Sequence, residues 1–571
     1  MIRGNYVGTS ASGAADLGNS LSGVYIRNAP GNQVIDNVIS GNDGFAGLAI
    51  CGSGQTCGGG DAGTQTSNAS GNIVQGNLVG TSAVGTGALG NTQRGVSIDG
   101  APNTIVGGPL ASHRNVISAT AAGPGIIIFD PGADNNLIRG NRIGTDDTGA
   151  PLGNQGDGVQ IAGGSNNIVS GKEDDRVAPN TIMFNTGRGI NVLSGQHEFR
   201  INQIDNNGGL GINGGENLAN GPNLTSASIN DGTLIVAGTF PTAPGTYTID
   251  LYKSNACDPS GFGEGAQWFG AFVLDVPLII EGPPTSFSVG FGGSPAAAGQ
   301  IITALATTGD QITTPGIVGS TSQFSNCQMA IPPGFAFAAP SNGGNGHVYE
   351  YVQSPGTWTT ARTAAATRTF RGVTGHLVTI TSAVENALVG SFRGANQDLR
   401  GWIGLTDEVT EGTFQWITGE PVTYTNWGQG EPSNGVPGVT TNEDYVEIFA
   451  STLWNDNTNS PGALNQGYIV EYEVNPFGPG GGQTPALLID TGPASSPGFA
   501  LIPTSASNGN FQFIAARFTL AAPTLITSVE GWMGAVSAGG MNIQIRSDAN
   551  GLPGASVFSK GYAMRMPARG R

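Results

Sequence analysis

Charge is scarce in this 571-residue chain. Only 11% of residues are Asp, Glu, Lys or Arg, which argues against long, salt-bridged surface helices. Bases are scarcer still, 22 against 40 acids, giving a net charge of −18; a nucleic-acid partner, which needs a basic footprint, is disfavoured. Long apolar runs are missing too. Stretches such as "VLDVPLII" (273–280) fall far short of the roughly 20 residues of a membrane-spanning helix. There are four cysteines and four histidines, with no Cys-x-x-Cys and no His cluster, so zinc is disfavoured. The even count fits disulfides in an oxidising compartment, Cys51 with Cys57 and Cys257 with Cys327, against the alternative of free buried thiols. No secretory leader is visible, since Met1 runs directly into "IRGNYVGTS".

Glycine, by contrast, is abundant at 95 residues, well above the usual roughly 7%. No collagen-like triplet accompanies it, so turns are its use. "RGNYVGTSASGAADLGN" (3–19) returns as "QGNLVGTSAVGTGALGN" (75–91) and "RGNRIGTDDTGAPLGN" (139–154). Between them recur short apolar pulses bounded by Gly or Asn: "GVYI", "GLAI", "GVSI", "GIII", "GVQI" and "GINV". Strands this short bury no face alone and must stack on copies of themselves. The solution is a coil of rungs, with Gly or Asn in the left-handed backbone at corners. Residues 1–225 thereby resemble the right-handed parallel β-helix repeats of bacterial secreted and surface proteins. Rungs of roughly 22 residues would number about ten, stacked at the ~4.8 Å strand spacing into a rod of roughly 45 Å. The recurring Asn5, Asn77 and Asn141 are expected to form corner ladders. The first residues already belong to a repeat and carry no cap, so the expectation is an N-terminally incomplete coil, with a leader and further rungs missing.

Parallel β-helices also house polysaccharide lyases and hydrolases. That chemistry needs clustered carboxylates, or calcium with a basic residue, on one face of adjacent rungs. Asp36, Asp99, Asp130, Asp157 and Asp205 read instead as scattered turn residues, so no catalytic residue is assigned and the coil is read as a scaffold.

From residue 226 to about 330 the strands lengthen and alternate, as in "TLIVAGTF" and "TYTIDLYK", which predicts an antiparallel sandwich. "CDPSGFGEG" (257–265) and "TSQFSNC" (321–327) resemble a small β-domain that often follows such coils, with a Cys257–Cys327 bond tying it. Beyond a Pro/Gly linker, "NPFGPGGGQTP" (475–485), residues 484–571 alternate like an accessory β-sandwich. The basic ending "AMRMPARGR" suggests a truncated domain or a terminal artefact.

Residues 341–475 have another texture. "TWTTARTAAATRTF" sets Trp358, Ala361, Ala365 and Thr369 at helical spacing. "TSAVENALVGSF" opens with Ser382 and Glu385, a capping box. "GWIGL", "FQW" and "GYIVEYE" read as strands. The order "GHLVTITSAVEN", "WIGL", "EGTFQW", "EPSN" and "WND" resembles the C-type lectin domain. The resemblance implies an α+β fold, a calcium ion and a sugar that gives the ion two vicinal hydroxyls. Its principal ion would sit on Glu431, Ser433, Glu443, Asn455 and Asp456, which would also bind the carbohydrate. Calcium takes 6–8 oxygen ligands, so carboxylates and amides are the right types. Ser433 departs from the family's Asn and is shorter, which puts sugar selectivity in doubt. The insertion "GVPGVTT" (435–441) could displace Glu443, and Pro432 is expected in a cis bond, as in that family. An auxiliary calcium would use Asp407, Glu411, Asp444 and Glu443, with Asn434 where an acid is usual; an exposed acidic loop without an ion is the equal alternative. No cysteine supports this domain, so its core must suffice.

The whole reads as a mainly β, multidomain chain: right-handed parallel β-helix, β-sandwich, α+β C-type lectin-like domain and C-terminal β-sandwich. The expected function is calcium-dependent carbohydrate binding by a secreted or cell-surface, adhesin-like protein, non-enzymatic, with Ca2+ as cofactor. The alternatives are a polysaccharide-degrading coil that uses the lectin-like domain for targeting, and an architectural protein with a protein ligand.

Overall fold

The computed structural model describes residues 1–52, 69–169, 172–173, 176–214, 221–240, 244–277, 283–309, 312, 318–391, 400–434, 442–449, 451–460, 465–477, 539–549 and 552–564. Two compact units divide at Gly481/Gly482.

The first 213 residues form a coil of three parallel sheets, of six, seven and seven strands, visited in rotation. Each strand is two to four residues long, and alternate side chains point inward: Val24, Leu48, Val96, Ile126, Val159, Ile190 and Ile212 are stacked partners in one sheet. With Ile50, Ile98, Val74 and Ile138 they make one continuous buried core. This is the stacking that the repeat demands, but the turns are longer and fewer than expected. Equivalent ladder asparagines lie 32, 40, 38, 26, 39 and 22 residues apart, so only the last turn has the expected length. In the turns of 32, 38 and 39 residues the added chain is the repeated "GT…LGN" segment, a corner excursion closed on itself (Thr9 with Asp16, Thr81 with Ala88, Thr145 with Pro151) that adds no strand; part of the 40-residue turn lies outside the described residues. Seven strands give six spacings of ~4.8 Å, a rod of roughly 29 Å.

The corner asparagines do form ladders. Asn5, Asn37, Asn77, Asn115, Asn141, Asn180 and Asn202 stack so that each amide donates to the next carboxamide oxygen at 2.9–3.0 Å. Asn141 Nδ2 also donates to the carbonyls of Val106 and Arg139, and its Oδ1 accepts the Asn115 backbone N–H. Asn154, Asn185 and Asn207 make a second ladder. Buried polar groups are tolerated there because every corner supplies the partner for the one below.

The coil ends against the next domain. Glu264 accepts the Asn206 and Asn207 backbone N–H groups at 2.6 and 3.3 Å and Asn207 Nδ2 at 3.3 Å, completing the second ladder. Arg200 is clamped bidentately by buried Asp250, which also accepts Trp268 Nε1 at 2.9 Å. Tyr252, Leu305 and Phe324 extend the coil's own core. This second domain is a seven-stranded ladder folded around Leu234, Val236, Ile249, Leu251 and Ile302. It departs from a purely antiparallel sandwich in one place: Asn223–Asn230 pairs parallel with Gln328–Ile331. Cys257 and Cys327 are bonded, with Cα atoms 6.1 Å apart. For the other expected pair, Cys57 lies outside the described residues.

The third domain packs two helices, α1 (Trp358–Ala365) and α2 (Ala383–Ser391), on a sheet ordered Phe335–Phe337, Val348–Val352, Asn465–Tyr472, Arg400–Thr406, Tyr445–Phe449, Trp454–Asn457. Helix α1 buries Trp358, Ala361 and Ala365 and stops there; Thr369, expected on the same face, is instead in the short strand Thr369–Phe370. The box at α2 forms on one side only. Ser382 Oγ accepts the Glu385 N–H at 3.2 Å, but Glu385 reaches past Ser382 to Thr381. Three buried tryptophans each satisfy their ring N–H: Trp358 on the Ile403 carbonyl, Trp402 on the Gly356 carbonyl and Trp454 on Asn386 Oδ1, at 2.7, 2.8 and 2.8 Å. Aromatic packing with fixed hydrogen bonds thus supports the domain where no cysteine does.

In the C-terminal unit the described residues form one antiparallel hairpin, Gly539–Ala549 with Leu552–Met564. The rest of the expected 484–571 sandwich lies outside the described residues.

Candidate functional site

The site is built on one edge hairpin. Tyr445–Phe449 and Trp454–Asn457 pair antiparallel, Val446 opposite Asp456 and Glu447 opposite Asn455. Trp454 is fully buried against Trp416, Tyr424 and Trp427, all roughly perpendicular to it. That anchor fixes the two residues after it, Asn455 and Asp456. The Trp454 N–H donates to the Asn426 carbonyl and its own carbonyl accepts the Gly428 N–H, both at 2.8 Å, so the loop carrying Glu431 is sewn to the same strand.

Here the loop turns back. The Glu431–Pro432 bond is cis, as expected for the proline. The buried Asp456 carboxylate then takes the Ser433 and Asn434 backbone N–H groups at 3.0 and 2.7 Å. Asn434, at φ 46°, receives the Glu443 N–H on Oδ1 at 3.0 Å, and Ser433 Oγ donates to Glu443 Oε2 at 3.4 Å. Glu431, Ser433, Asn434, Glu443 and Asp456 are therefore brought together. The "GVPGVTT" insertion lies outside the described residues, yet Glu443 reaches Ser433.

Asn455 Nδ2 donates to Glu447 Oε1 at 3.3 Å and to the Asp456 carbonyl, while Asn455 lines one pocket together with Glu431. Glu447 was not anticipated. Fully buried, it accepts from Arg400 Nη1 at 2.7 Å, Asn457 at 3.1 Å and Asn465 at 3.1 Å. Its signal in the sequence is an acid in the middle of the otherwise apolar strand "YVEIF".

Glu431 Oε2 is buried and has no hydrogen-bond partner among the described residues. Burial pushes its carboxyl up, and the charges of Asp456 and Glu443 add to the shift. The second expected cation position repeats this condition. Asp407 is buried at the end of the Arg400–Thr406 strand. One of its oxygens accepts the Gly412 N–H at 2.9 Å, while Oδ1 has no partner among the described residues. Burial raises this carboxyl too, with Glu411 and Asp444 adding. The Asp407 N–H donates to the Asp444 carbonyl, whereas Glu411 is exposed. Among the described residues no three His, Cys, Asp or Glu side chains converge as a ready metal cluster. The donor set nonetheless fits a hard cation: all oxygen, two carboxylate oxygens buried and unanswered, one in each expected position.

Elsewhere the acids are less scattered than they look in sequence. Asp99 is buried beside Ser97 and Arg94, whose guanidinium lies 4.1 Å over the Phe45 ring. Burial pushes Asp99 up to about 6. Asp205 is also raised by burial, to about 6, next to Glu264 at the coil's end.

The sequence model of the lectin C-type domain matches residues 355–461. Alpha-N-acetylgalactosamine-specific lectin of Patiria pectinifera is 34% identical over 119 residues, covering 20% of this chain and 67% of that protein. Pulmonary surfactant-associated protein D of Sus scrofa is 39% identical over 82 residues, 14% of this chain and 21% of that one. Halomucin of Haloquadratum walsbyi is 26% identical over 287 residues, 41% of this chain. The chain spans only 3% of the length of halomucin.

Proposed function

From a chain that belongs, through residues 355–461, to the C-type lectin family, we propose that its third domain binds carbohydrate with the help of calcium. Glu431, Ser433, Glu443, Asn455 and Asp456 would hold the principal ion, and Asp407, Glu411, Asp444 and Glu443, with Asn434 where an acid is usual, an auxiliary one. The observation that carries the reading is the pair of buried, unpartnered carboxylate oxygens, Glu431 Oε2 and Asp407 Oδ1. Unanswered groups of this kind cost about 1–3 kcal/mol each, a cost that a cation offsets. Calcium would supply coordination to vicinal sugar hydroxyls. This chain's own part is to hold the loop by Asp456 and Trp454 and to offer Ser433 and Asn434 as hydrogen-bonding groups. In this reading the coil and the second domain are a non-enzymatic scaffold, and the protein works at a cell surface or outside the cell as an adhesin-like binder.

Glycan-array binding with calcium and with EGTA tests this. Binding abolished by EGTA, and calcium affinity at least tenfold weaker in Glu431→Ala, support it. Binding undiminished in EGTA, or calcium binding intact in both Glu431→Ala and Asn455→Ala, overturns it. Clean turnover of pectin- or alginate-like polymers would overturn the scaffold role.

A further inference from the structure

A groove of about 350 Å³ opens on the outer side of the coil, far in sequence from the lectin domain. Its floor is three stacked outward positions of one parallel sheet: Arg142 pairs with Thr181, and Thr181 with Gln203. One wall is the loop Gly108–Arg114, carrying the short 3-10 turn Ala111–His113; the other is Ala178–Pro179. The walls stand close to the floor because Gly140, at φ +68°, brings its backbone against the Gly108 carbonyl, where a Cβ would be 2.3 Å from the oxygen.

The chemistry of the lining is one-sided. Arg114 is half-buried, and no acid or carbonyl pairs with its guanidinium among the described residues. Among the described residues Arg142 is shared only with the exposed Asp147, at 3.6 Å, and with the Asp146 carbonyl. Gln203 Oε1 is already taken by Thr181 Oγ1 at 3.0 Å, which leaves Nε2 as its free end. Asn141 is consumed by the ladder. The groove thus offers donors and few acceptors, with Pro109, Leu110 and Pro179 as apolar faces beside them. Acids outnumber bases 40 to 22 in this chain, yet Arg114 has no acid partner among the described residues. Arginine's planar fork matches an oxyanion, and apolar faces beside donors suit a pyranose ring. The volume is at the small end for ligand sites and holds roughly one or two rings.

We propose that this groove is a second, calcium-independent glycan site that takes an anionic sugar unit, bearing a carboxylate or a sulfate, on Arg114, Arg142 and Gln203. It does not rest on the calcium-dependent reading of the third domain.

The test is isothermal titration of the full chain in EGTA with a digalacturonate, a sulfated galactose disaccharide and neutral galactobiose. Saturable binding of either anionic disaccharide, with the neutral one at least tenfold weaker, is expected, and the arm that binds identifies the anion. Arg114→Gln should weaken that binding about tenfold, with the melting temperature unchanged and Glu431→Ala without effect. No saturable anionic binding, equal binding of galactobiose, or binding unchanged in both Arg114→Gln and Gln203→Ala overturns the proposal. So does a lower melting temperature of Arg114→Gln, which would mean that the guanidinium already serves the fold.

Discussion

The coil and the third domain solve the same problem, a shortage of charge and of cysteine, by opposite means. The coil repeats one small solution: an aliphatic residue inward on each short strand and an asparagine at each corner, bonded to the asparagine above and below. The third domain repeats nothing. It depends on single large side chains, Trp358, Trp402 and Trp454, each fixed by its own hydrogen bond. A repeat distributes its stability over many equivalent positions and transmits damage to neighbours; an aperiodic core concentrates it. The loop that carries Glu431 belongs to the second kind, where one anchor, Trp454, positions Asn455 and Asp456.

That contrast can be broken at the ladder first. Asn141→Ala removes a carboxamide that makes four hydrogen bonds at a time: Oδ1 accepts twice from Asn115, and the two N–H hydrogens are shared among Val106, Arg139 and Asn180. At roughly 1 kcal/mol per lost bond, and more where a donor is stranded, urea unfolding should show a loss of about 4 kcal/mol in the coil. Calcium affinity at the third domain should stay as it was. A loss under about 1 kcal/mol would mean that water replaces the amide and that the ladder is ornament.

The third domain should differ in its response to pH. Burial raises the carboxyls of Glu431 and Asp407, so without the ion the folded protein binds those protons more tightly than the unfolded chain. Its stability therefore falls as pH rises from the ordinary carboxylate range through the raised pKa values, and recovers as pH falls. Calcium bound as proposed would have to displace the same protons, so the rise in melting temperature expected of it is full at neutral pH and fades on acidification. A calcium effect that is the same at pH 5 and pH 8 would contradict this.

The smallest effect lies where coil meets second domain. Glu264 is pushed up to about 8, first by burial and then by Asp205. Holding a proton that the unfolded chain releases near 4.5, it costs stability progressively as pH rises from there through 8. Glu264→Gln removes the titrating group and keeps its one amide oxygen as an acceptor for the Asn207 N–H and Nδ2, giving up the bond to the Asn206 N–H. The variant should melt at or above the parent at pH 8.5 and lose that advantage by pH 5, by scanning calorimetry at both.

Much of this architecture was legible in the chain, for reasons that differ by region. In the coil, each strand owes its place to its immediate copies, so the repeats of "GVYI" and "NVIS" already contain the core and Asn5, Asn77 and Asn141 the ladder. Turn length was misread because a pulse counts strands and not the corner excursion between Thr81 and Ala88. In the third domain, Glu431, Ser433, Glu443 and Asp456 could be named together through an ordered motif, since a loop that returns on itself leaves its partners in sequence order. Glu447 could not, because its partners Arg400 and Asn465 come from strands 47 and 18 residues away. The groove on the coil was invisible for the same reason. Arg114, Arg142 and Gln203 are neighbours only once the turns have stacked, and nothing local marks them as a set.

The second and third domains meet without a hinge. Cys257, Ile301, Cys327 and Met329 share one buried cluster with Trp358, Leu377 and Trp402. The Cys257 N–H donates to the Pro476 carbonyl at 2.7 Å, and Arg371 Nη2 to the Asn255 carbonyl at 2.8 Å. The chain therefore enters and leaves the third domain beside the Cys257–Cys327 disulfide, in the way that a bracket is bolted at both ends of one plate. A tug on a bound glycan would be met by shear across that plate and carried into the coil, with no swivel in between to let the domain turn toward the pull. The bearing of the site on the rod is thus a property of the fold, set before any ligand arrives.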